Sequence, residues 1–249
     1  GTDFSYMFKS CSKLTTIPQL DTSNANSVSN MFQASTISTI PQLNTSKSSN
    51  FQGLFSNCKG VKSVPQLDTS KGTDFSYMFN GCSNLTEVPQ LNTSNGTRFD
   101  YMFNSCSSLK IAPQLNTSNG TNFQRMFYSC TNLTSVPQLD TSKGTNFEAM
   151  FQSCGKLVSL ELTSFIPGSS MFYNCSSLEN LTVTGTITVN NNYLSLSSSQ
   201  KLTVESLMSV INALEDNTGK TTYKVTLGAT NLAKLTEEQK EGKIRERER

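Results

Sequence analysis

Large apolar side chains in this sequence stand in fixed columns separated by polar residues. In the stretch GTDFSYMFNGCSNLTEVPQLNTS, residues 72–94, Phe75, Met78, Phe79 and Cys82 stand at i, i+3, i+4 and i+7. That spacing puts four side chains on one face of a helical turn, and it predicts helical turns at residues 75–80 and their equivalents, with Thr73 as N-cap. Two turns are too short to be helical alone, so burial against neighbouring copies must hold them. Leu85 and Val88 then bracket two polar residues ahead of Pro89. This predicts a strand of three or four residues that stops at the proline, which has no N–H to give to a ladder. After Leu91 the run NTSNGT contains residues that bond their own backbone or accept positive φ, and it reads as the return turn.

The unit recurs along most of the chain. Its aromatic column is Phe8, Phe32, Phe55, Phe79, Phe103, Phe127, Phe151 and Phe172, mostly at a step of 24 residues. A period of about 20 to 29 with a leucine-type column falls in the leucine-rich-repeat range. The predicted fold is an α/β solenoid, a leucine-rich-repeat-like stack of about eight 24-residue units with a small C-terminal α/β cap. Strands are expected at residues 14–17, 85–88, 109–112 and 133–136. No single unit can bury its own apolar face, so stability comes from stacked neighbours, each buried Phe contributing about 2 kcal/mol.

The expected division is a solenoid over 1–185, a cap of strand, helix and strand over 186–235, and a charged helical tail over 236–249. The second unit is one residue short, with Ser35 in the cysteine column, and from Val158 the Pro-Gln-Leu element disappears. In the cap, Thr203 precedes Val204, Leu207, Met208, Ile211 and Leu214 at helical spacing, and in the tail Thr236 and Gln239 match a capping box. Gly1 falls in mid-repeat, which suggests a fragment of a longer protein.

Composition narrows the function. Charged residues are 15% of the chain and the net charge is +2, so no basic stripe exists to follow a nucleic-acid backbone. No run approaches the roughly 18 apolar residues of a membrane span, and no membrane insertion is expected. Histidine, the commonest general base, is absent, and no phosphate loop, nucleophile elbow or paired-acid motif appears. The chain is therefore expected to be no enzyme, with no catalytic residues, no cofactor and no metal. Cys11, Cys58, Cys82, Cys106, Cys130, Cys154 and Cys175 share one column three residues after the core Phe, which reads as buried free thiols rather than a metal or disulfide framework. The Asp/Asn column at 21, 44, 68, 92, 116 and 140 reads as turn caps, and the Gln column at 19, 42, 66, 90, 114 and 138 as an amide ladder from rung to rung.

Recognition needs variable positions on a constant frame, and copies within one chain can be compared. On the predicted helical side the variable set includes Tyr77, Arg98, Tyr101, Arg125 and Tyr128; on the strand side it includes Lys62, Glu87 and Lys110. Aromatic and Arg side chains carry most hot-spot energy at interfaces, which favours the helical side.

The string MFxxCxxLxx[IV], followed by [DN]TS, resembles the BspA-type leucine-rich repeats of bacterial surface proteins, related to repeats in mycoplasma lipoproteins, from Gly1 to about Leu181. The Gln column departs from that family, which commonly has an aliphatic residue there. VESLMSVINAL and the segment after it are similar to the ends of gut-bacterial and phage-tail repeat proteins. The resemblance implies an extracellular recognition or adhesion module on a bacterial surface or a virion tail, its partner a protein or glycan on a host or neighbouring cell. The alternative is a structural spacer within a larger surface or virion protein.

Overall fold

A computed structural model describes residues 1–189, 194–214 and 225–243. The repeats stack as a solenoid, one rung per period, around a thin continuous core. Two columns of phenylalanine run through it. In one, Phe8, Phe32, Phe55, Phe79, Phe103, Phe127, Phe151 and Phe172 stack with neighbouring centroids 5.4–6.0 Å apart. In the other, Phe51, Phe75, Phe99, Phe123 and Phe147 do the same at 5.3–5.8 Å. Each offset pair adds about 0.5–1.5 kcal/mol beyond area burial.

The expected helical turns at 75–80 do not form. Alternate N–H groups point along the stack instead: Phe75, Tyr77, Phe79 and Gly81 donate to the carbonyls of Arg98, Asp100, Met102 and Asn104 in the next rung at 2.7–3.0 Å. The N–H groups of Met78, Asn80 and Cys82 close tight turns onto Phe75, Tyr77 and Phe79. Tyr77 (φ 59°) and Gly81 (φ 71°) are left-handed, as a type II turn requires at its third residue. Two such turns in tandem repeat every four residues, and over eight residues a period of four cannot be told from 3.6. Phe and Met therefore still face inward. The same two columns of positive φ run down the array, through Tyr6, Asn30, Gly53, Tyr101, Arg125, Ala149 and Ser170, and through Ser10, Ala34, Asn57, Ser105, Ser129, Ser153 and Asn174. Thr73 is no helix cap; its hydroxyl donates to the Ser49 carbonyl of the previous rung.

The strand side is also sparser than expected. Where continuous strands were predicted, the rungs meet through isolated parallel bridges such as Thr16 to Thr39 and Ile111 to Ser135, because the proline column ends each ladder. Among the described residues, a longer pair forms only past the last Pro-Gln-Leu element: β1 (Ser159–Leu162) runs parallel to β2 (Asn180–Val183), with Leu160 opposite Leu181. Lone bridges then join Phe165 to Ile187 and Ile187 to Leu214. Strands β3 (Leu194–Ser195) and β4 (Val225–Thr226) pair in parallel across α1 (Val204–Ala213). Thr203 caps α1 by accepting from Ser206 N–H. The Ser206 and Ser209 hydroxyls accept from Leu181 and Val183 N–H, so side chains of α1 satisfy the β2 edge. Two short helices follow, α2 (Ala229–Leu232) and α3 (Glu237–Lys243). At the start of α3, Thr236 N–H donates to Gln239 Oε1 and Gln239 N–H to Thr236 Oγ1, the reciprocal pair of a capping box. Residues 190–193 and 215–224 of the expected cap and residues 244–249 of the expected tail lie outside the described residues.

The seven cysteines are unpaired. From Cys58 to Cys175 each thiol donates to the carbonyl of the core Phe one rung back, for example Cys106 to Phe79 at 3.1 Å and Cys130 to Phe103 at 3.0 Å. A small side chain with a weak donor is what that column needs. Burial pushes the thiols up, Cys58 to about 11 and Cys130 and Cys175 to about 12.

Candidate recognition surfaces

The 24-residue register decides which side chains meet. Tyr77, Tyr101 and Arg125 occupy the first left-handed column in consecutive rungs, so they stack in space. The two tyrosine rings lie 4.6 Å apart at 8°, closer than any phenylalanine pair of the core. Arg125 continues the stack: its guanidinium carbon is 5.6 Å from the centroids of both Tyr101 and Tyr128. Its Nη1 donates to the Tyr101 hydroxyl at 3.2 Å and its Nη2 meets Glu148 at 3.1 Å. Gln124 Nε2 donates to the other Glu148 oxygen at 2.9 Å.

Arg98 flanks this cluster. It forks onto Asp100 through Nε at 3.2 Å and Nη2 at 3.1 Å, and reaches Asp74 one rung back at 3.4 Å. The Asp100 side chain is 4% exposed, so the fork matters more to the carboxylate than to the half-exposed guanidinium. Bonding to Asp100 raises the Arg98 pKa, and burial, helped by Tyr101 and Asp100, raises that of Tyr77. The arrangement is an aromatic and cationic patch with every charge paired, suited to contact rather than to proton transfer.

All five residues expected on this side thus come together. Asp74 and Glu148 were not foreseen as their partners, although opposite charges about one period apart were the available signal. Lys62, Glu87 and Lys110 remain separate. They are exposed, one per rung, on the strand side, where the Lys62 and Lys110 carbonyls accept from Thr86 and Thr134 N–H. Ile111, beside Lys110, is 63% exposed.

A third surface was not foreseen. A groove of about 1620 Å³ runs along the repeats from Gln19 to Thr163, lined by the Gln, Leu, Asp/Asn, Thr and Ser columns. The amide ladder lies along it: Gln19 Nε2 donates to the Gln42 carbonyl at 2.6 Å, Gln66 to Gln90 at 2.7 Å and Gln90 to Gln114 at 2.9 Å. Asp/Asn side chains cap the N–H two residues on, as Asp68 does for Ser70 and Asn92 for Ser94. Nothing in one repeat read as a line of text reveals a groove, because it exists only between segments that the stack brings side by side.

Family comparison agrees with the repeat geometry. The family described as "Mycoplasma protein of unknown function, DUF285" matches residues 2–114 and 49–165, together more than half of the chain. The chain belongs to this family. The "BspA type Leucine rich repeat region" matches residues 123–217, so the BspA-type pattern extends from the later DUF285 repeats into α1. Among solved structures, a Treponema pallidum leucine rich repeat protein is 19% identical, with a TM-score of 0.49 over 71% of this chain and 77% of that one. No curated protein matches.

Proposed function

We propose that this repeat protein is a non-enzymatic recognition module displayed on a bacterial surface, contacting a protein on a host or neighbouring cell through Tyr77, Tyr101, Arg125 and Tyr128. Membership of surface-associated repeat families supports the location. One observation carries the site. The other rungs fill the left-handed column with Tyr6, Asn30, Gly53, Ala149 and Ser170. A tyrosine or arginine there costs about 1–2 kcal/mol. The frame does not need an aromatic or arginine side chain there, since Ala and Ser meet the same backbone demand. Placing large side chains in three consecutive rungs of a column that elsewhere accepts Gly, Ala and Ser builds one stacked patch, as a contact surface requires.

The test is a Tyr77, Tyr101, Tyr128→Ala triple variant against arrays of extracellular-matrix and cell-surface proteins. Each true hot spot is expected to contribute about 1–2 kcal/mol, so the triple variant should lose affinity by more than about tenfold while staying folded. A wild-type chain that binds nothing would favour the spacer reading, which the near-identical rungs also fit. A folded triple variant that binds normally would move the contact to Lys62, Glu87 and Lys110.

A further inference from the structure

The groove along the Gln and Asp/Asn columns has its own chemistry, independent of the tyrosine patch. Its lining is more apolar than polar, and Leu43, Leu67, Leu91 and Leu115 are fully buried beneath it, where they hold the rungs together. Most of its polar groups have given their hydrogens to the frame, the amide NH2 groups of Asn44, Asn92 and Asn116 excepted, since these side chains bond only through Oδ1. The amide nitrogens of Gln19, Gln42, Gln66 and Gln90 each donate twice, to the following Leu carbonyl and to the next rung's Gln carbonyl. The hydroxyls of Ser46, Ser70, Ser94 and Ser118 donate to the Asp or Asn two residues earlier. Those of Thr45, Thr69, Thr93 and Thr117 donate to the next rung's backbone. What remains for a ligand is a row of lone pairs repeated once per rung, to which the Asn amides add donors at three of the rungs.

We propose that this groove binds an extended, neutral, hydroxyl-rich polymer, a linear polysaccharide, with one sugar ring per rung. A pyranose chain offers C–H faces to the apolar part of the groove lining and hydroxyls to the polar rows. The rung advance of about 4.8 Å is close to the length of one ring in such a chain. The groove volume exceeds the roughly 300–1,000 Å³ of a small-molecule pocket and is drawn out along the stack, which suits a polymer.

Charge argues against a basic peptide as occupant. Only Asp21, Asp68 and Asp140 are acidic in the column, the other three rungs holding Asn44, Asn92 and Asn116. Ser70 and Ser142 hold Asp68 and Asp140 below the usual carboxylate range by hydrogen bonding, and the Lys71 and Lys143 ammonium groups add to it. Two of the three carboxylates thus already lie in the field of a lysine, Lys143 being held on Asn119 Oδ1, which weakens what the groove offers a polycation.

Titration calorimetry with a series of neutral β-linked oligosaccharides, from disaccharide to octasaccharide, tests the proposal. Affinity should rise at least about tenfold from disaccharide to hexasaccharide and level off near the span of the six glutamine rungs. Ser94→Phe, which fills the middle of the groove while leaving the Ser94 N–H bond to Asn92, should lower hexasaccharide affinity about tenfold or more. Ser94→Ala, which keeps the groove open but removes one hydroxyl from the acceptor row, should lower affinity less than Ser94→Phe does. Near-UV circular dichroism and a urea midpoint establish that Ser94→Phe is folded. The Tyr77, Tyr101, Tyr128→Ala variant should bind the sugars unchanged, so failure of the protein-contact reading leaves this one standing, and the reverse. The proposal is overturned by any of four results: no binding of neutral chains, affinity independent of length, normal binding to folded Ser94→Phe, or tighter binding of oligolysine than of the neutral chains. Loss of sugar binding in the tyrosine variant alone would also overturn it by assigning the sugar to the patch.

Discussion

Ala34→Gly separates a turn ladder from a helix by the sign of its effect. Ala34 is exposed, at φ 57°, in the second left-handed column, so the substitution removes almost no packing. A left-handed conformation costs an L-residue about 1–2 kcal/mol, which glycine escapes. Glycine returns about 0.5–1 kcal/mol through the freedom of its unfolded chain. The expected net is a stabilisation of about 0.5–1 kcal/mol, whereas in a helical turn the same change would destabilise by about 1 kcal/mol. The converse is Gly81→Ala, at φ 71°, where a Cβ would stand 2.4 Å from Asn57 Oδ1; it should destabilise by about 1–2 kcal/mol. Urea unfolding reads both. With m of about 3 kcal/mol/M, Ala34→Gly should move the midpoint up by about 0.2–0.3 M. A midpoint that falls for Ala34→Gly and holds for Gly81→Ala would refute the left-handed column.

Other expectations follow from the same packing. Phe103→Ala, between Phe79 and Phe127 at 5.4 and 5.5 Å, should cost about 4 kcal/mol in urea unfolding, and Phe8→Ala, half-buried with one stacked neighbour, about half of that or less. Thiol titration near pH 8 should modify Cys11 readily and the six buried cysteines only after denaturation. The folded thiols hold their protons more tightly than unfolded ones, so that stabilisation is complete below pH 9 and falls as pH rises toward 11–12. For Cys58, raised from 9.0 to about 11, the loss is on the order of 2–3 kcal/mol. Arg98→Ala should destabilise by about 1–2 kcal/mol by leaving the buried Asp100 without its fork, and Asp100→Ser, the residue type at Ser76 one rung back, should recover most of it.

The period, the core columns, the free thiols, the amide ladder and the capping box at Thr236 were legible because each depends on residue type at a fixed interval. The backbone path was not. Phe75, Met78, Phe79 and Cys82 fit a helix face and a pair of four-residue turns equally well, and Gly81 and Asn57, which accept positive φ, were the overlooked signal. Proline placement foretold where strands stop but not that so little ladder would remain. The members of the tyrosine patch were readable as variable positions; their salt-bridge partners and the groove arise from register between rungs, which a one-dimensional reading does not contain.

Trans-hydrogen-bond scalar couplings measured by NMR on the isotopically labelled chain test the central claim, that adjacent rungs are joined residue by residue at a 24-residue register. The stack requires couplings from Tyr77 N–H to the Asp100 carbonyl and from Tyr101 N–H to that of Gln124, bonds of 2.9 and 2.8 Å. These bonds place Tyr77, Tyr101 and Arg125 in one column. Couplings four residues back within 75–82, with none to the next rung, would contradict the stack and remove the patch and the groove together.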